Sequence, residues 1–190
     1  MASSKVDLNG EIPFVFFNES SYGNILADSF KQCSLSDAAI IVSVVLNSSL
    51  KKGDIRIRDI FNSHRWVAGL YVLELNGGKV LEILNKLTEE YPKPSPLFPQ
   101  VSGISFELTS KKDAKKISNV QINSQALILD KTYKIVMDAA LPSVLVDERI
   151  IEKGVAKDTC NKKYMWQIFA DYLKSQGETA NFEDKRILID

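Results

Sequence analysis

The apolar residues of this chain follow two periods, one typical of helices and one typical of strands. In the stretch after Ser21, apolar side chains recur at offsets of three, four and eight residues, at Tyr22, Ile25, Leu26 and Phe30. This spacing predicts an amphipathic helix, and the hydroxyl of Ser20 or Ser21 is suited to cap it. In contrast, every second residue of Ile104–Leu108 is apolar, which predicts a half-buried strand.

The remaining pattern predicts a mixture of helices and strands. A nearly continuous β-branched run at Asp37–Leu46 predicts a strand that is buried on both faces. Further strands are expected at residues 13–17, 66–75, 117–122, 133–137 and 143–148, with a turn at Asn76 and Gly77. Further helices are expected near Asp59, over residues 78–91 up to Pro92, and over residues 161–175. These elements predict an α+β domain, in which a mixed β-sheet is flanked by helices.

A proline-rich loop, YPKPSPLFP, separates the predicted helix at 78–91 from the strand at 104–108. Each proline fixes its own φ angle and restricts the residue before it. The loop therefore loses little conformational entropy on folding, and it delivers the following strand in a set register.

The charge balance and composition exclude several classes of protein. Lysine and arginine number 24, as do aspartate and glutamate, so no excess positive charge is available for nucleic-acid phosphates. No apolar stretch is long enough to cross a bilayer, and the first residues lack the pattern of a signal peptide. With 45% hydrophobic and 25% charged residues, the chain has the composition of an ordinary globular protein.

We expect residues 1–190 to form a single domain, in which residues 1–5 are a tag remnant or disordered and residues 176–190 are a C-terminal tail. The two cysteines, Cys33 and Cys160, lie far apart in the sequence and have no metal-ligand spacing. This pattern predicts neither a disulfide framework nor a zinc site, and it favours a cytoplasmic setting.

No group of residues has the pattern of a catalytic or metal site. His64 is the only histidine, and its neighbour Ser63 is the one candidate nucleophile beside it. Adjacent residues in a turn rarely face each other, so a surface histidine is the favoured interpretation. The basic residues cluster once, in a pattern typical of a solvated hairpin tip, at Lys111, Lys112, Lys115 and Lys116. We therefore expect no catalytic residue, no metal and no cofactor.

Three stretches together resemble the C-terminal, substrate-binding domain of the 5'-nucleotidase family. Glu19–Phe30, ESSYGNILADSF, resembles the ETNLGNLIADAM type of opening helix in that family. Residues 98–106, FPQVSGISF, look like the family's sequence at the same relative place, and residues 129–141, LDKTYKIVMDAAL, resemble its LDPDKTYRVATNDYL. Because the matches occur in the family's order, the resemblance implies the family's fold.

The resemblance also implies a ligand pocket, most of whose walls are changed here. Val42–Asn47 replaces the family's NGGGIR stretch with its substrate-binding arginine, and Arg65–Ala68 replaces its PFGN stretch. The family's aromatic GGDGY loop has no counterpart after Leu141. A degenerate substrate-binding set remains, and it consists of Asn47, Trp66, Phe98, Gln100 and Ser102. Trp66 is the one stacking ring that survives, although a core or interface position is the favoured interpretation of it.

The resemblance implies binding rather than catalysis for this chain. In the family, two-metal hydrolysis belongs to a metallophosphoesterase domain that precedes the matched one, and a single histidine does not supply its ligands. We therefore predict a non-catalytic domain that binds a protein partner or serves as a structural component of an assembly, without nucleic acid or membrane. Two alternatives stay open: a weak nucleoside or nucleotide sensor, and the substrate-binding half of a metal-dependent 5'-nucleotidase or phosphatase whose catalytic domain lies elsewhere.

Overall fold

The computed structural model describes residues 2–65, 67–111, 116–154, 157–179 and 185–190. Within these ranges the helices are α1 (Ser21–Ser34), α2 (Ile57–Ser63), α3 (Gly77–Leu87), α4 (Leu141–Asp147) and α5 (Met165–Gln176). Short 3-10 turns are found at Phe14–Phe16, Ser43–Val45 and Cys160–Lys162. None of the described helices is both long and apolar enough to cross a membrane.

In the described ranges the strands form three sheets. The central sheet has the order β10 (Lys157–Asp158), β4 (Leu70–Asn76), β9 (Thr132–Asp138), β2 (Ala38–Val42) and β5 (Pro99–Ser102). The second sheet has the order β12 (Ile187–Ile189), β6 (Ile104–Leu108), β7 (Ile117–Ile122) and β8 (Gln125–Ala126). The third sheet has the order β11 (Glu178–Thr179), β1 (Ala2–Ser4) and β3 (Gly53–Ile55).

The central sheet is mixed, as the sequence predicts. β2 and β9 are parallel, whereas β4 pairs with β9 and β5 pairs with β2 in the antiparallel sense. All five residues of β2 are buried, which confirms the strand that the β-branched run predicts. The mixed α/β architecture with flanking helices is therefore confirmed.

Helix α1 packs its predicted apolar stripe into the core. Its stripe residues are fully buried, and they are Tyr22, Ile25, Leu26 and Phe30. Of the two candidate caps, Ser20 holds the position, because its Oγ accepts a hydrogen bond from Gly23 N at 2.9 Å. This bond satisfies one of the amides that the first helical turn leaves without an intrahelical partner.

Gly103 forms the corner between the central sheet and the second sheet. Its φ is +70°, and a Cβ at this position would lie 2.6 Å from the carbonyl oxygen of Asp37. Both the left-handed backbone and the close approach require glycine here. The proline loop therefore leads first into β5 of the central sheet, and the glycine then redirects the chain into β6 of the second.

Two predicted strands are helical in the structure. Residues 13–17 contain a 3-10 turn, in which Val15 is buried and Phe14 is exposed. Residues 143–148 fall largely within α4, because the carboxylate of Asp138 accepts the amides of Ala140 and Leu141 and starts the helix. Short apolar runs fit a buried strand and a buried helix equally well, so only the partner of the run distinguishes them.

The boundaries of α3 also differ from the prediction. Asn76 is the last residue of β4 and also the helix cap, since its Oδ1 accepts from Lys79 N at 2.8 Å. The expected turn at Asn76 and Gly77 is thus the start of the helix itself. The helix ends at Leu87, well before Pro92, and Thr88 caps it.

The cysteine prediction is wrong. Cys33, near the end of α1, and Cys160 form a disulfide, with 5.7 Å between their Cα atoms and 127 residues between their positions. Spacing along the chain carries no signal for a pair that long-range packing brings together.

The two ends of the chain take part in sheets. β1, at residues expected to be a tag remnant or disordered, forms the middle strand of the third sheet. β12, in the predicted tail, pairs in parallel with β6. In the lysine cluster, Lys111 forms an ion pair of 2.7 Å with Asp190 and Lys116 donates to the carbonyl oxygen of Glu89, whereas Lys112 and Lys115 lie outside the described residues.

Candidate functional site

The edge of the central sheet where β2 and β9 end is the natural place for a site in this fold. The two strands are parallel, so their carboxyl ends, Val42 and Asp138, lie at the same edge. In open α/β sheets, ligands bind in the crevice outside the carboxyl ends of the strands. Val42–Asn47, one of the two stretches that differ from the pattern expected of a pocket wall, begins at this edge, and Arg65, at the start of the other, contacts it through Val45.

Asp138 is the fully buried acid at this edge. Its Oδ2 accepts from Val42 N at 2.8 Å, and its Oδ1 accepts from Ala140 N at 2.7 Å and Leu141 N at 3.2 Å. Burial raises the pKa of Asp138 to about 6, although these accepted bonds act in the opposite direction. The carboxyl group therefore joins the end of β2 to the start of α4, and its oxygens are committed to backbone amides.

Hydrogen bonds to Phe98 and from Arg65 hold the 3-10 turn at Ser43–Val45 in place. Ser43 donates twice to the carbonyl oxygen of Phe98, from its amide at 3.0 Å and from its Oγ at 2.8 Å. Arg65 donates from its amide to Val45 O at 3.0 Å and from its Nε to Val44 O at 2.9 Å. These backbone groups of the turn are thus hydrogen-bonded within the protein itself.

Gln100 is a buried polar residue beside this turn, and its side-chain amide is hydrogen-bonded to Asn18, Ser20 and Ser43. Its Oε1 accepts from Ser20 N at 2.9 Å, and its Nε2 donates to Asn18 O at 2.8 Å and to Ser43 Oγ at 3.1 Å. The side chain has no exposed surface. Both ends of the amide are therefore satisfied inside the protein.

Gly23 makes the position of Gln100 possible. A Cβ on Gly23 would lie 2.6 Å from the Cδ of Gln100, which is closer than carbon atoms approach. Gly23 of α1 and Gln100 of β5 thus form a close packing contact, which we call the joint between α1 and β5. Sequence reasoning identified both stretches but missed this contact, since they are separated by more than 70 residues.

The other predicted site residues have different surroundings. Phe98 is buried in the core, with its ring centroid 6.3 Å from that of Tyr91. Ser102 is buried and donates to Asp28 Oδ1 at 2.6 Å. Asn47 is exposed, and its Nδ2 donates to Asn62 O at 3.3 Å.

Trp66 lies outside the described residues. The structure brings Phe98 and Gln100 together at Ser43. The role of all five residues in binding substrate stays a prediction.

His64 is buried, so the expectation of a surface histidine is wrong. Its Nδ1 lies 2.9 Å from Ile60 O, and burial lowers the pKa of the ring. Its Nε2 has no hydrogen-bond partner among the described residues. Ser63 shares a hydrogen bond with the hydroxyl of Tyr22 and donates to Ile60 O, so among the described contacts it does not pair with His64.

The C-terminal strand is held by two acidic residues, one just before α1 and one within it, that the sequence alone did not single out. The carboxylate of Glu19 accepts from Arg186 N at 2.9 Å and from Ile187 N at 2.8 Å. The guanidinium of Arg186 forms an ion pair of 2.9 Å with Asp28. The acidic residues of the ESSYGNILADSF stretch therefore anchor β12. In the part of the chain that the structure describes, no three His, Cys, Asp or Glu side chains are grouped as a metal site.

Comparison with known proteins identifies what the fold and these stretches are similar to. The sequence profile of the 5'-nucleotidase C-terminal domain family matches residues 2–141. A 5'-nucleotidase of Vibrio cholerae is 29% identical over 134 residues, which are 70% of this chain and 23% of that protein. A trifunctional nucleotide phosphoesterase of Bacillus subtilis is 28% identical over 140 residues, 68% of this chain and 10% of that protein.

Solved structures share the fold over the whole chain. A 5'-nucleotidase precursor from Thermus thermophilus superimposes with a TM-score of 0.86 at 22% identity, covering 99% of this chain and 39% of that one. An NAD nucleotidase from Haemophilus influenzae gives a TM-score of 0.82 at 14% identity, covering 100% of this chain and 37% of that one. The chain thus spans less than half the length of the proteins it is similar to.

Proposed function

Because the chain belongs to the 5'-nucleotidase C-terminal domain family, we propose that it is a non-catalytic member with a degenerate nucleotide pocket. In this proposal it acts by binding a protein partner or as a structural component of an assembly. Support for the proposal comes from the retained framework of the domain and from the hydrogen bonds that Gln100, Ser102 and Asn47 make within the protein.

One observation carries the proposal: the polar groups at the carboxyl ends of β2 and β9 are already hydrogen-bonded within the protein. The oxygens of Asp138 accept backbone amides, and the turn at Ser43–Val45 is bonded to Phe98 and Arg65. Nucleotide binding at this edge requires free donors and acceptors, and each bond that a ligand must break costs about 1–3 kcal/mol. A surface kept in use after the pocket has degenerated is best suited to protein contacts.

A second function is favoured by the comparisons. The relatives that the chain matches are 5'-nucleotidases and nucleotide phosphoesterases, and the match covers 10% and 23% of two of them. The chain is then the substrate-binding half of a metal-dependent 5'-nucleotidase or phosphatase. A weak nucleoside sensor would share the same ligand, with Trp66 as its stacking ring.

A cytoplasmic location is part of the proposal. A cytoplasmic setting requires Cys33 and Cys160 to be mostly reduced, since reducing compartments disfavour disulfides. An oxidising compartment would instead keep the pair joined as it is in the structure.

The test is calorimetric titration of the chain with nucleosides, nucleotides and nucleotide sugars, with and without divalent metal. We expect no saturable binding up to millimolar ligand, which corresponds to a binding free energy weaker than about 4 kcal/mol. Saturable binding that Trp66→Ala abolishes would overturn the proposal in favour of a nucleotide-binding role. Phe14→Ala is the control, because it removes an exposed aromatic ring from the 3-10 turn at the start of the chain.

A further inference from the structure

The disulfide joins helix α1, which is packed into the core, to a segment with few hydrogen bonds to the rest of the described structure. Cys33 belongs to α1, whose buried face is part of the core, and its own side chain is exposed. Cys160 is half-buried and belongs to the segment between β10 and α5. We propose that Cys33–Cys160 is a redox modification site, and that its reduction by a dithiol releases residues 157–163 from the edge of the central sheet.

Among the described residues, few other backbone hydrogen bonds hold residues 157–163 to the rest of the protein. β10 has two residues, which pair with Tyr71 and Val72 of β4. After it, Thr159 N donates to Leu70 O at 3.3 Å, which is a long hydrogen bond. Lys163 adds an ion pair of 2.7 Å with Asp171, but both side chains are about half exposed, so this pair adds little.

The backbone of the segment also favours release. Cys160, Asn161 and Lys162 have φ angles of 54°, 54° and 58°, so three successive residues other than glycine lie in the left-handed region. This conformation is unfavourable for residues with a Cβ and persists only where the surroundings impose it. The covalent link from Cys160 to α1 is the strongest such restraint among the described contacts.

The bond is accessible to a reductant. Cys33 is exposed, and a cavity of about 270 Å³ opens beside it, with Gln32, Ile168 and Tyr172 among its lining residues. A thiolate of a dithiol attacks Cys33 Sγ, the S–S bond breaks, and Cys160 Sγ leaves as a thiolate that takes up a proton. The second thiol of the reductant then attacks the mixed disulfide, which frees Cys33 and leaves the reductant as a disulfide.

Release would change the surface next to the candidate site. β10 is the outermost strand of the central sheet, so its departure exposes the edge of β4. The same segment runs into α5, where Met165 N donates to Ala68 O at 2.8 Å, within the stretch that replaces a pocket wall. The redox state of the pair would thus determine whether this side of the sheet is covered. This inference does not depend on the proposed function.

The test is amide hydrogen exchange of the full chain, oxidised and then treated with a dithiol. We expect the oxidised protein to carry no thiol that alkylates in denaturant. We expect exchange in residues 157–163 to rise about tenfold or more on reduction, while Thr132–Asp138 in the sheet centre keeps its protection. A double variant, Cys33→Ser with Cys160→Ser, should match the reduced protein and should not respond to the dithiol.

Three results would overturn the inference. Free thiols after oxidation would show that the pair does not form. Equal exchange of residues 157–163 in both states would show that other contacts hold the segment. Loss of protection throughout β9 on reduction would show general unfolding instead of a local release.

Discussion

Replacing Gln100 by alanine tests whether the joint between α1 and β5 holds the fold together. The change leaves Ser20 N, which is buried, and Asn18 O, which is half-buried, without their partners. Each unsatisfied group costs about 1–3 kcal/mol, and the cavity left by the amide adds about 1 kcal/mol. We expect the free energy of unfolding to fall by about 4 kcal/mol, a large part of the 5–15 kcal/mol typical of a domain.

The assay is equilibrium urea denaturation, with the slope of the transition compared between variants. Gln100→Met separates two causes, because it keeps most of the volume but cannot make the hydrogen bonds. Gln32→Ala is the control, since Gln32 is exposed on α1, and it should change stability by no more than about 0.5 kcal/mol. If Gln100→Ala costs less than about 1 kcal/mol, the buried amide is not the structural joint described above.

Two further predictions concern the same region. Gly23→Ala should lower the free energy of unfolding by about 2 kcal/mol, because the new Cβ would meet Gln100 Cδ. In the Gln100→Ala background the same change should cost less than half as much, which urea denaturation of the single and double variants measures. Equal costs in the two backgrounds would contradict the contact. Since the pKa of Asp138 is about 6 in the folded protein against an ordinary value of 3.8, the folded state binds more protons between these values. The free energy of unfolding should then fall by up to about 3 kcal/mol as the pH rises from about 4 to 6. Asp138→Asn should remove this component, and an unchanged pH profile in the variant would contradict it.

Sequence reasoning identified many residues of the candidate site, but it did not predict which groups those residues contact. The FPQVSG stretch was identified, and with it Phe98 and Gln100, yet their burial makes them part of the core of the domain. Asp138 lies within a recognised stretch, but its bonds to Val42 and α4 depend on the parallel pairing of two distant strands. A pattern along the chain reports which residue types are present, and it does not report which backbone groups they satisfy.

The sequence by itself determined the elements whose periodicity is strong and local. The stripe of α1, the buried run of β2 and the alternation in Ile104–Leu108 each specify which face is buried, because that information repeats within a few residues. The order of the recognised stretches was enough to indicate the family.

Only the tertiary structure decided which distant groups meet. It paired Cys33 with Cys160, buried His64, and turned two apolar runs into helical segments. It also placed Gln100 against Gly23. In each case the outcome depends on a partner remote in sequence, and the free energy of burying a polar group or an apolar face is set by that partner rather than by the local pattern.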